Sequence, residues 1–196
     1  RSIVTFRAKN PGRLKAKVQR RNELNAGPYK NMKEIYEDIA DLTGVRVSLY
    51  FPGDRDIVNT LIGRLFTILE TRQFPEQSKP PSYHKRFSGY WANHYRAHMR
   101  EERLEPPQKK YAAARIEIQV ASVLMHAWCE VEHDLVYKPM QGALSDEELA
   151  ILDELNGLVL AGEIALERLQ RAGNLRIRTK NAAFSSQYDL ASYLYN

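Results

Sequence analysis

The sequence has little cysteine, no long apolar run and no glycine-rich phosphate-binding motif. Its 196 residues include one cysteine, Cys129, which excludes an internal disulfide and indicates a reducing compartment such as the cytoplasm. No segment approaches the ~20 consecutive apolar residues of a membrane helix, and the start of the chain shows no signal-peptide pattern. Neither Gly-x-x-x-x-Gly-Lys-Ser/Thr nor Gly-x-Gly-x-x-Gly occurs, so a P-loop or dinucleotide-binding fold lacks support.

Basic residues outnumber acidic residues, and the excess is concentrated near the start of the chain. The 29 lysines and arginines against 24 acids give a net charge of +5. Seven cations occur in one short stretch: Arg7, Lys9, Arg13, Lys15, Lys17, Arg20 and Arg21. Such a cluster indicates a polyanionic partner, either nucleotide phosphates or nucleic acid. A solvated basic face explains the charge alone equally well.

Hydrophobic periodicity predicts strands interleaved with helices. We predict strands over residues 2–6, 45–51, 95–103 and 112–120, where β-branched and aromatic residues are concentrated. We predict helices over residues 13–24, 30–42 and 54–70, and two more that begin at residues 122 and 145. Residues 74–87 contain three prolines and are predicted to form a loop. This alternation predicts an α/β or α+β domain around a mixed sheet.

The last of these helices is long and carries a regular apolar pattern. Ser145-Asp-Glu-Glu148 is a capping box that begins the helix. Apolar or small residues then alternate three and four apart: Leu152, Leu155, Val159, Gly162, Leu166 and Leu169. This spacing is typical of a helix-packing seam. Two occupants remain open, a partner helix or subunit and the chain's own sheet.

Three acidic residues lie where an acid is unusual unless it has a role. Asp41 ends a predicted helix in Asp-Leu-Thr-Gly-Val-Arg, just before the strand that Arg46 enters. Glu117 lies in the apolar strand Ile-Glu-Ile-Gln-Val, where Gln119 shares its face. Glu132 lies at the edge of the apolar face of the next helix. Carboxylates on a helix end and a neighbouring strand can hold Mg²⁺ through their oxygens, although a solvated acid is the competing interpretation for each alone.

A loop-to-strand segment rich in aromatic residues offers stacking groups. It runs Ser-Gly-Tyr-Trp-Ala-Asn-His from Ser88 to His94. An exposed tyrosine after a glycine can serve as a platform for a nucleobase, worth ~1–3 kcal/mol. An ordinary aromatic turn is the alternative for this segment alone.

Taken in order, these segments resemble the synthetase domain of RelA/SpoT proteins, especially the small single-domain alarmone synthetases. The stretch from Arg7 to Lys17 is similar to the family's ATP-binding Arg-x-Lys-x-x-x-Ser-x-x-x-Lys, with Arg13 at the serine position. The six residues from Asp41 to Arg46 resemble Asp-Ile-x-Gly-x-Arg. The segment from Ser88 resembles the acceptor loop Asn-Gly-Tyr-x-Ser-x-His.

The second half of the resemblance lies on the last predicted strand and the helix after it. Glu-Ile-Gln-Val from Glu117 resembles the start of Glu-Ile-Gln-Ile-Arg-Thr, but Ala121 and Ser122 replace the Arg-Thr pair. Glu-His-Asp-Leu-Val-Tyr-Lys from Glu132 resembles Glu-His-Asp-x-x-Tyr-Lys. The match extends over about residues 5–138.

The resemblance implies a fold, an activity and a set of roles. It implies an α+β, nucleotidyltransferase-like synthetase fold, with a mixed sheet flanked by helices and a long C-terminal helix. It implies an ATP pyrophosphokinase, dependent on Mg²⁺, that transfers diphosphate to the 3′-hydroxyl of GDP or GTP and makes (p)ppGpp. Because the family's hydrolase domain is absent, we expect synthesis only. We expect residues 1–140 to form the synthetase domain and residues 141–196 a helical extension that serves in homo-oligomerisation.

The family's site residues transfer to particular positions of this chain. Catalysis and Mg²⁺ binding fall to Asp41 and Glu117. Donor ATP binding falls to Arg7 and Arg46, which would sandwich the adenine, and to Lys9, Arg13 and Lys17, which would hold the phosphates. Acceptor binding falls to Arg86, Tyr90, His94, Gln119, His126 and Glu132.

The departures from the family pattern leave the acceptor open. Replacement of the Arg-Thr pair by Ala121 and Ser122 removes a cation on the acceptor side. The same transfer onto an adenine nucleotide or the 3′ end of tRNA is therefore an alternative. A nucleotide-binding module without turnover is a further one, although the retained carboxylates Asp41 and Glu117 argue against it.

Overall fold

A computed structural model describes residues 1–24, 27–75, 87, 91–136, 142–179, 184 and 186–195. The strands are β1 Ser2–Ala8, β2 Thr43–Leu49, β3 Phe66–Phe74, β4 Ala92–Met99 and β5 Ile116–Ser122. The helices are α1 Pro11–Leu24, α2 Met32–Asp38, α3 Arg55–Leu65, α4 Val123–Val136, α5 Asp146–Thr179 and α6 Gln187–Leu194. Within this described part, no helix has the length and apolar character needed to cross a membrane. The α+β class with a long C-terminal helix is confirmed.

The five strands form one mixed sheet in the order β1-β2-β5-β4-β3. Strands β2 and β5 are parallel, and the other neighbours are antiparallel. Arg46 lies opposite Gln119, and His94 lies opposite Gln119 on the other side of β5. Because residues directly opposite each other share a face, one face of the sheet carries these polar side chains. The alternate residues of the same strands carry the apolar face.

The apolar face is covered by α3. Leu49, Tyr95, Ile118 and Val120 from three strands form one buried cluster with Ile62 of α3. Val120 is completely buried and Ile118 is 2% exposed. Burial of aliphatic side chains of this size stabilises the folded state by ~1.5–3 kcal/mol each, so this face holds the sheet together.

Helices α4 and α5 cover only one end of the polar face. Ala92, Ala121 and Met125 form a second buried cluster, against which Val159 and Leu160 of α5 pack. In β5, residue 121 follows Glu117 and Gln119 on the same face, so this face is apolar at one end of the strand and polar at the other. The polar end is therefore left for a site.

Strand β3 was not predicted from the sequence. The predicted helix over residues 54–70 ends at Leu65, and Phe66–Phe74 is instead an edge strand paired with β4. A register irregularity between Ile68 and Glu70 interrupts the pairing, and Leu69 at this point is 48% exposed. The adjacent apolar pair Ile68 and Leu69 therefore continued the helical spacing by coincidence, and pairing with β4 overrides it.

Other boundaries also differ from the prediction. The helix predicted over residues 30–42 ends at Asp38, and a 3-10 turn, Ala40–Leu42, follows it. The strand predicted over 95–103 is shifted to Ala92–Met99, and the one predicted over 112–120 begins at Ile116. Most of the predicted loop over residues 74–87 lies outside the described residues.

The long helix α5 divides its apolar residues between the core and the solvent. Its predicted capping box is present, because the Ser145 N–H donates to Glu148 Oε2 at 2.7 Å and the Glu148 N–H donates to Ser145 Oγ at 3.3 Å. Two residues of the predicted seam face the chain's own core, because Leu152 is buried and Val159 packs against the second buried cluster. A second face stays exposed, and we name it the α5 outer stripe: Ile151, Leu155, Leu158 and Leu169, which are 42–69% exposed.

Candidate active site

The polar end of the sheet forms an open pocket. Its lining comes from β1, β2, β5 and the turn before β2: Thr5, Phe6, Arg7, Asp41, Gly44, Arg46, Glu117 and Gln119. Five of the predicted site residues therefore line one pocket, although they come from distant parts of the sequence. The parallel pairing of β2 with β5 causes this, because it sets Gly44 beside Glu117 and Arg46 beside Gln119.

Asp41 is held by two lysines. Lys17 Nζ donates to Asp41 Oδ1 at 2.9 Å, and Lys9 Nζ pairs with Asp41 Oδ2. Burial alone would raise the pKa of Asp41, but the hydrogen bonds and charges of Lys17 and Lys9 outweigh it and hold the pKa below its ordinary value. Asp41 is therefore ionised at neutral pH and already neutralised by cations.

The local fold explains why these lysines meet Asp41. Lys9 directly follows β1, and its backbone N–H donates to the Leu42 carbonyl at 2.8 Å. Arg13 and Lys17 lie four and eight residues after Lys9, on the same side of α1. The three cations that are predicted to hold the ATP phosphates are therefore carried by the end of β1 and by one face of α1. Arg13 is exposed there.

Glu117 lies in the middle of the sheet and is oriented by two neighbours. Gln119 Nε2 donates to Glu117 Oε2 at 2.9 Å, and His94 Nδ1 lies 3.7 Å from Glu117 Oε1. Burial raises the pKa of Glu117, as does the charge of Asp41, but the His94 and Gln119 contacts prevail, so that the pKa lies below its ordinary value. Asp41 and Glu117 line the same pocket, so the two carboxylates share one electrostatic environment.

Arg46 bridges the sheet and α4. Its Nε donates to Gln119 Oε1 at 3.3 Å, and its guanidinium forms an ion pair with Glu130. Glu130 is a pocket neighbour that the sequence analysis did not assign to the site. A signal existed, because Glu130 lies one helical turn after His126 on α4, but nothing in the sequence connects that helix face to Arg46.

The predicted acceptor residues are only partly brought together. His94 contacts Glu117, and its ring centroid lies 4.6 Å from that of Phe74. His126 is buried, and a ring N–H donates to the backbone carbonyl of Val47. Burial, with a smaller contribution from Arg46, lowers the pKa of His126 from 6.5 to about 4, so its imidazole is neutral at pH 7.

Three further acceptor predictions remain, which are Glu132, Arg86 and Tyr90. Glu132 is buried on α4 and does not line the pocket. Arg86 and Tyr90 lie outside the described residues. Among the described predictions, the pocket itself collects two donor residues, Arg7 and Arg46, the two metal residues, Asp41 and Glu117, and one acceptor residue, Gln119.

The pocket carboxylates suit a hard cation. Within the described ranges, no group of three or more His, Cys, Asp and Glu side chains is arranged to hold a metal ion. Asp41 and Glu117 supply carboxylate oxygens on two walls of one pocket. This donor set fits Mg²⁺, which is usually bound by one or two carboxylates, with water and substrate phosphates completing its shell.

Comparison with known proteins identifies the family. The family described as "Region found in RelA / SpoT proteins" matches residues 6–142, which include every pocket-lining residue except Thr5. The chain belongs to the RelA/SpoT family. A search of curated proteins gives no match.

Solved structures share the fold of this RelA/SpoT chain. A GTP pyrophosphokinase family protein from Streptococcus pneumoniae is 22% identical, with a TM-score of 0.66 over 87% of this chain and 75% of that one. The small alarmone synthetase 1 of Bacillus subtilis bound to its product pppGpp is 23% identical, with a TM-score of 0.61 over 87% and 78%. The same protein bound to AMPCPP is 20% identical, with a TM-score of 0.59 over 87% and 77%.

Proposed function

We propose that this chain transfers the β,γ-diphosphate of ATP to the 3′-hydroxyl of GDP or GTP and so makes (p)ppGpp. The observation that supports this best is the single pocket lined by Arg7, Asp41, Arg46 and Glu117. Diphosphate transfer needs groups that hold a base, neutralise phosphate charge and accept a proton. The pocket and its two flanking lysines offer all three.

The donor side is carried by cations. Arg7 and Arg46 take the adenine between their planar guanidinium groups, and Lys9, Lys17 and Arg13 take the phosphates. Arg46 must first release Gln119 and Glu130, with which it is in contact, before its guanidinium can stack on the adenine. The Bacillus subtilis small alarmone synthetase 1, which shares this fold, is bound to AMPCPP in one structure, which supports an ATP-like donor.

The chemical step requires an acceptor oxygen, a leaving group and a base. The 3′-oxygen of the acceptor attacks the β-phosphorus of ATP. The bond between that phosphorus and the oxygen that bridges the α- and β-phosphates breaks, and AMP leaves. The hydroxyl proton passes to Glu117, which Gln119 and His94 orient. Asp41 and Glu117 would hold Mg²⁺, and the ion would supply charge neutralisation on the phosphate oxygens.

The acceptor side is argued from fewer groups. His94 and Gln119 flank Glu117, so an acceptor hydroxyl that meets Glu117 also meets these two side chains. We assign Tyr90 as the stacking platform for the acceptor base, with Arg86 and Glu132 as positioning residues. His126, neutral at pH 7, belongs to the same side.

One observation favours a second candidate acceptor. Ala121 and Ser122, which replace the family's Arg-Thr pair, are completely buried. Ser122 Oγ is hydrogen-bonded to Glu163 and accepts from the Met125 N–H at 2.9 Å, so this position presents no cation to acceptor phosphates. An adenine nucleotide or the 3′ end of tRNA is therefore the alternative acceptor of the same transfer.

The test is incubation of the full chain with β,γ-labelled ATP, Mg²⁺ and a panel of acceptors. The panel contains GDP, GTP, ADP, ATP and deacylated tRNA, and products are separated and identified by mass. We expect label on GDP or GTP together with AMP. Glu117→Gln is the inactive control, and Glu102→Gln, at a side chain that is 69% exposed, is the matched active control. Label on tRNA or an adenine nucleotide favours the second candidate, and no labelled product with any acceptor overturns both.

A further inference from the structure

Each carboxylate oxygen of Asp41 is paired with a lysine ammonium group. Lys17 Nζ bonds Oδ1 and Lys9 Nζ bonds Oδ2. The contacts are sheltered, because the side chains of Lys9 and Asp41 are 17% and 25% exposed. An ion that uses Asp41 as a ligand therefore competes with two ammonium groups for the carboxylate oxygens and is repelled by their charge.

The charge around the pocket also opposes a lone divalent cation. Arg7 and Arg46 line the pocket beside the two lysines, and Glu117 faces His94. Among the described residues, four permanent cations thus face three carboxylates, which are Asp41, Glu117 and the Glu130 that pairs with Arg46. Like charges repel strongly in partly buried sites, where solvent screens them less.

A nucleotide triphosphate changes this balance. Its phosphate oxygens are better partners for lysine than one shared carboxylate is, because each ammonium can then have its own oxygens. Lysine carries a compact charge on a flexible four-carbon stem, so Lys9 and Lys17 can swing while their backbones stay in place. The backbone N–H of Lys9 is bonded to the Leu42 carbonyl. The ammonium group therefore stays within reach of the Asp41 carboxylate and of the phosphates of a nucleotide bound beside it.

We propose that Lys9 and Lys17 are counter-ions that keep a divalent cation off Asp41 until ATP binds and draws both ammonium groups onto its phosphates. The metal then enters with the nucleotide, and Asp41 becomes a ligand only in the loaded site. This inference rests on the proposed ATP donor site. It makes metal affinity depend on nucleotide, so the chain does not hold the metal in the resting state.

The test measures binding of Mn²⁺, as a spectroscopic probe for Mg²⁺, to the full chain. Electron paramagnetic resonance reports free Mn²⁺ with and without saturating AMPCPP, after correction for Mn²⁺ bound to the nucleotide in solution. We expect weak binding without nucleotide and binding at least about tenfold tighter with it, a coupling of ~1.4 kcal/mol or more. By reciprocity, Mn²⁺ must tighten AMPCPP by the same factor.

Variants separate the counter-ion role from a structural one. Lys17→Gln should raise Mn²⁺ affinity in the absence of nucleotide by roughly tenfold and weaken AMPCPP. Lys17→Arg keeps the charge and should stay near wild type in Mn²⁺ affinity. Lys15→Gln, at an exposed position of the same helix, is the matched control and should change neither. Asp41→Asn should abolish the tight Mn²⁺ binding that is expected with AMPCPP.

Each outcome has one meaning. Equal Mn²⁺ affinity with and without AMPCPP, or a folded Lys17→Gln with unchanged Mn²⁺ affinity, overturns the inference. If Lys17→Gln does not fold, Lys9→Gln is measured in the same way. Absence of diphosphate transfer, with the nucleotide coupling intact, would instead overturn the proposed function and leave this inference standing.

Discussion

Lowering the pH from 7 to 5 is expected to destabilise the folded chain through His126. The folded-state pKa is about 4 against an ordinary value of 6.5, first because of burial and then because of the nearby charge of Arg46. The unfolded chain therefore binds a proton at a pH where the folded chain does not. The stability that the neutral imidazole contributes is complete above pH 6.5 and is lost as the pH falls towards 4.

The size of the effect follows from the separation of the two pKa values. Within this window each pH unit costs up to about 1.4 kcal/mol per group, so unfolding at pH 5 should be easier by up to about 2 kcal/mol because of His126 alone. His94 adds a further unfavourable charge to a protonated His126, while Glu130 partly compensates. The pKa values of Asp41 and Glu117 lie below their ordinary values, so these carboxylates titrate mainly below the window.

Urea unfolding of wild type and two variants at pH 7, 6 and 5 measures this contribution. His126→Gln should have a lower free energy of unfolding than wild type at pH 7, but this free energy should fall less between pH 7 and 5 than that of wild type. His133→Gln is the matched control on the same helix, where the ring is 50% exposed, and should keep the wild-type slope. Equal slopes for His126→Gln and wild type would refute the reasoning, because every other titrating group, including the buried Glu163, is common to these two proteins.

Four further outcomes are expected. Glu117→Gln should reduce diphosphate transfer by at least about a hundredfold with an unchanged melting curve, and near-normal turnover would contradict the assignment. Arg46→Ala should raise the KM for ATP roughly tenfold and that of the acceptor less, as paired titrations can show. Tyr90→Ala should lower acceptor kcat/KM by one to two decades, from loss of ~1–3 kcal/mol of stacking, and Tyr90→Phe should restore it; unchanged acceptor kinetics would remove Tyr90 from the site. Leu158→Glu on the α5 outer stripe should reduce the mass found by light scattering if the helix mediates self-association, whereas Ile164→Glu, at a 58% exposed position off the stripe, should not; equal masses would contradict this.

The sequence predicted the pocket better than it predicted the sheet. Arg7, Asp41, Arg46 and Glu117 were assigned from the resemblance to the RelA/SpoT family, and they line one pocket. Strand β3 was missed because Ile68 and Leu69 extend a helical period, and only pairing with β4 decides between helix and strand. A local pattern carries no information about a contact between residues as far apart in the chain as Phe66 and Met99, which pair in the sheet.

The contacts between site residues could not be predicted from the sequence either, because they also depend on how distant elements pack. The attachment of Lys9 and Lys17 to Asp41 depends on the pairing of β1 with β2, which brings the start of α1 beside the turn that contains Asp41. The pairing of Arg46 with Glu130 depends on how α4 crosses the sheet. Both are consequences of packing, and residue types alone indicate only that the charges are complementary.

The parallel pairing of β2 with β5 has a consequence for folding. Gly44 and Glu117 are neighbours in the sheet but lie more than seventy residues apart in the chain, and the closure of such a loop carries a large entropic cost before any contact repays it. The pocket is therefore complete only after this long-range pairing has formed. We expect nucleotide binding to return in the slowest major refolding phase, and no fragment that ends before β5 should retain it.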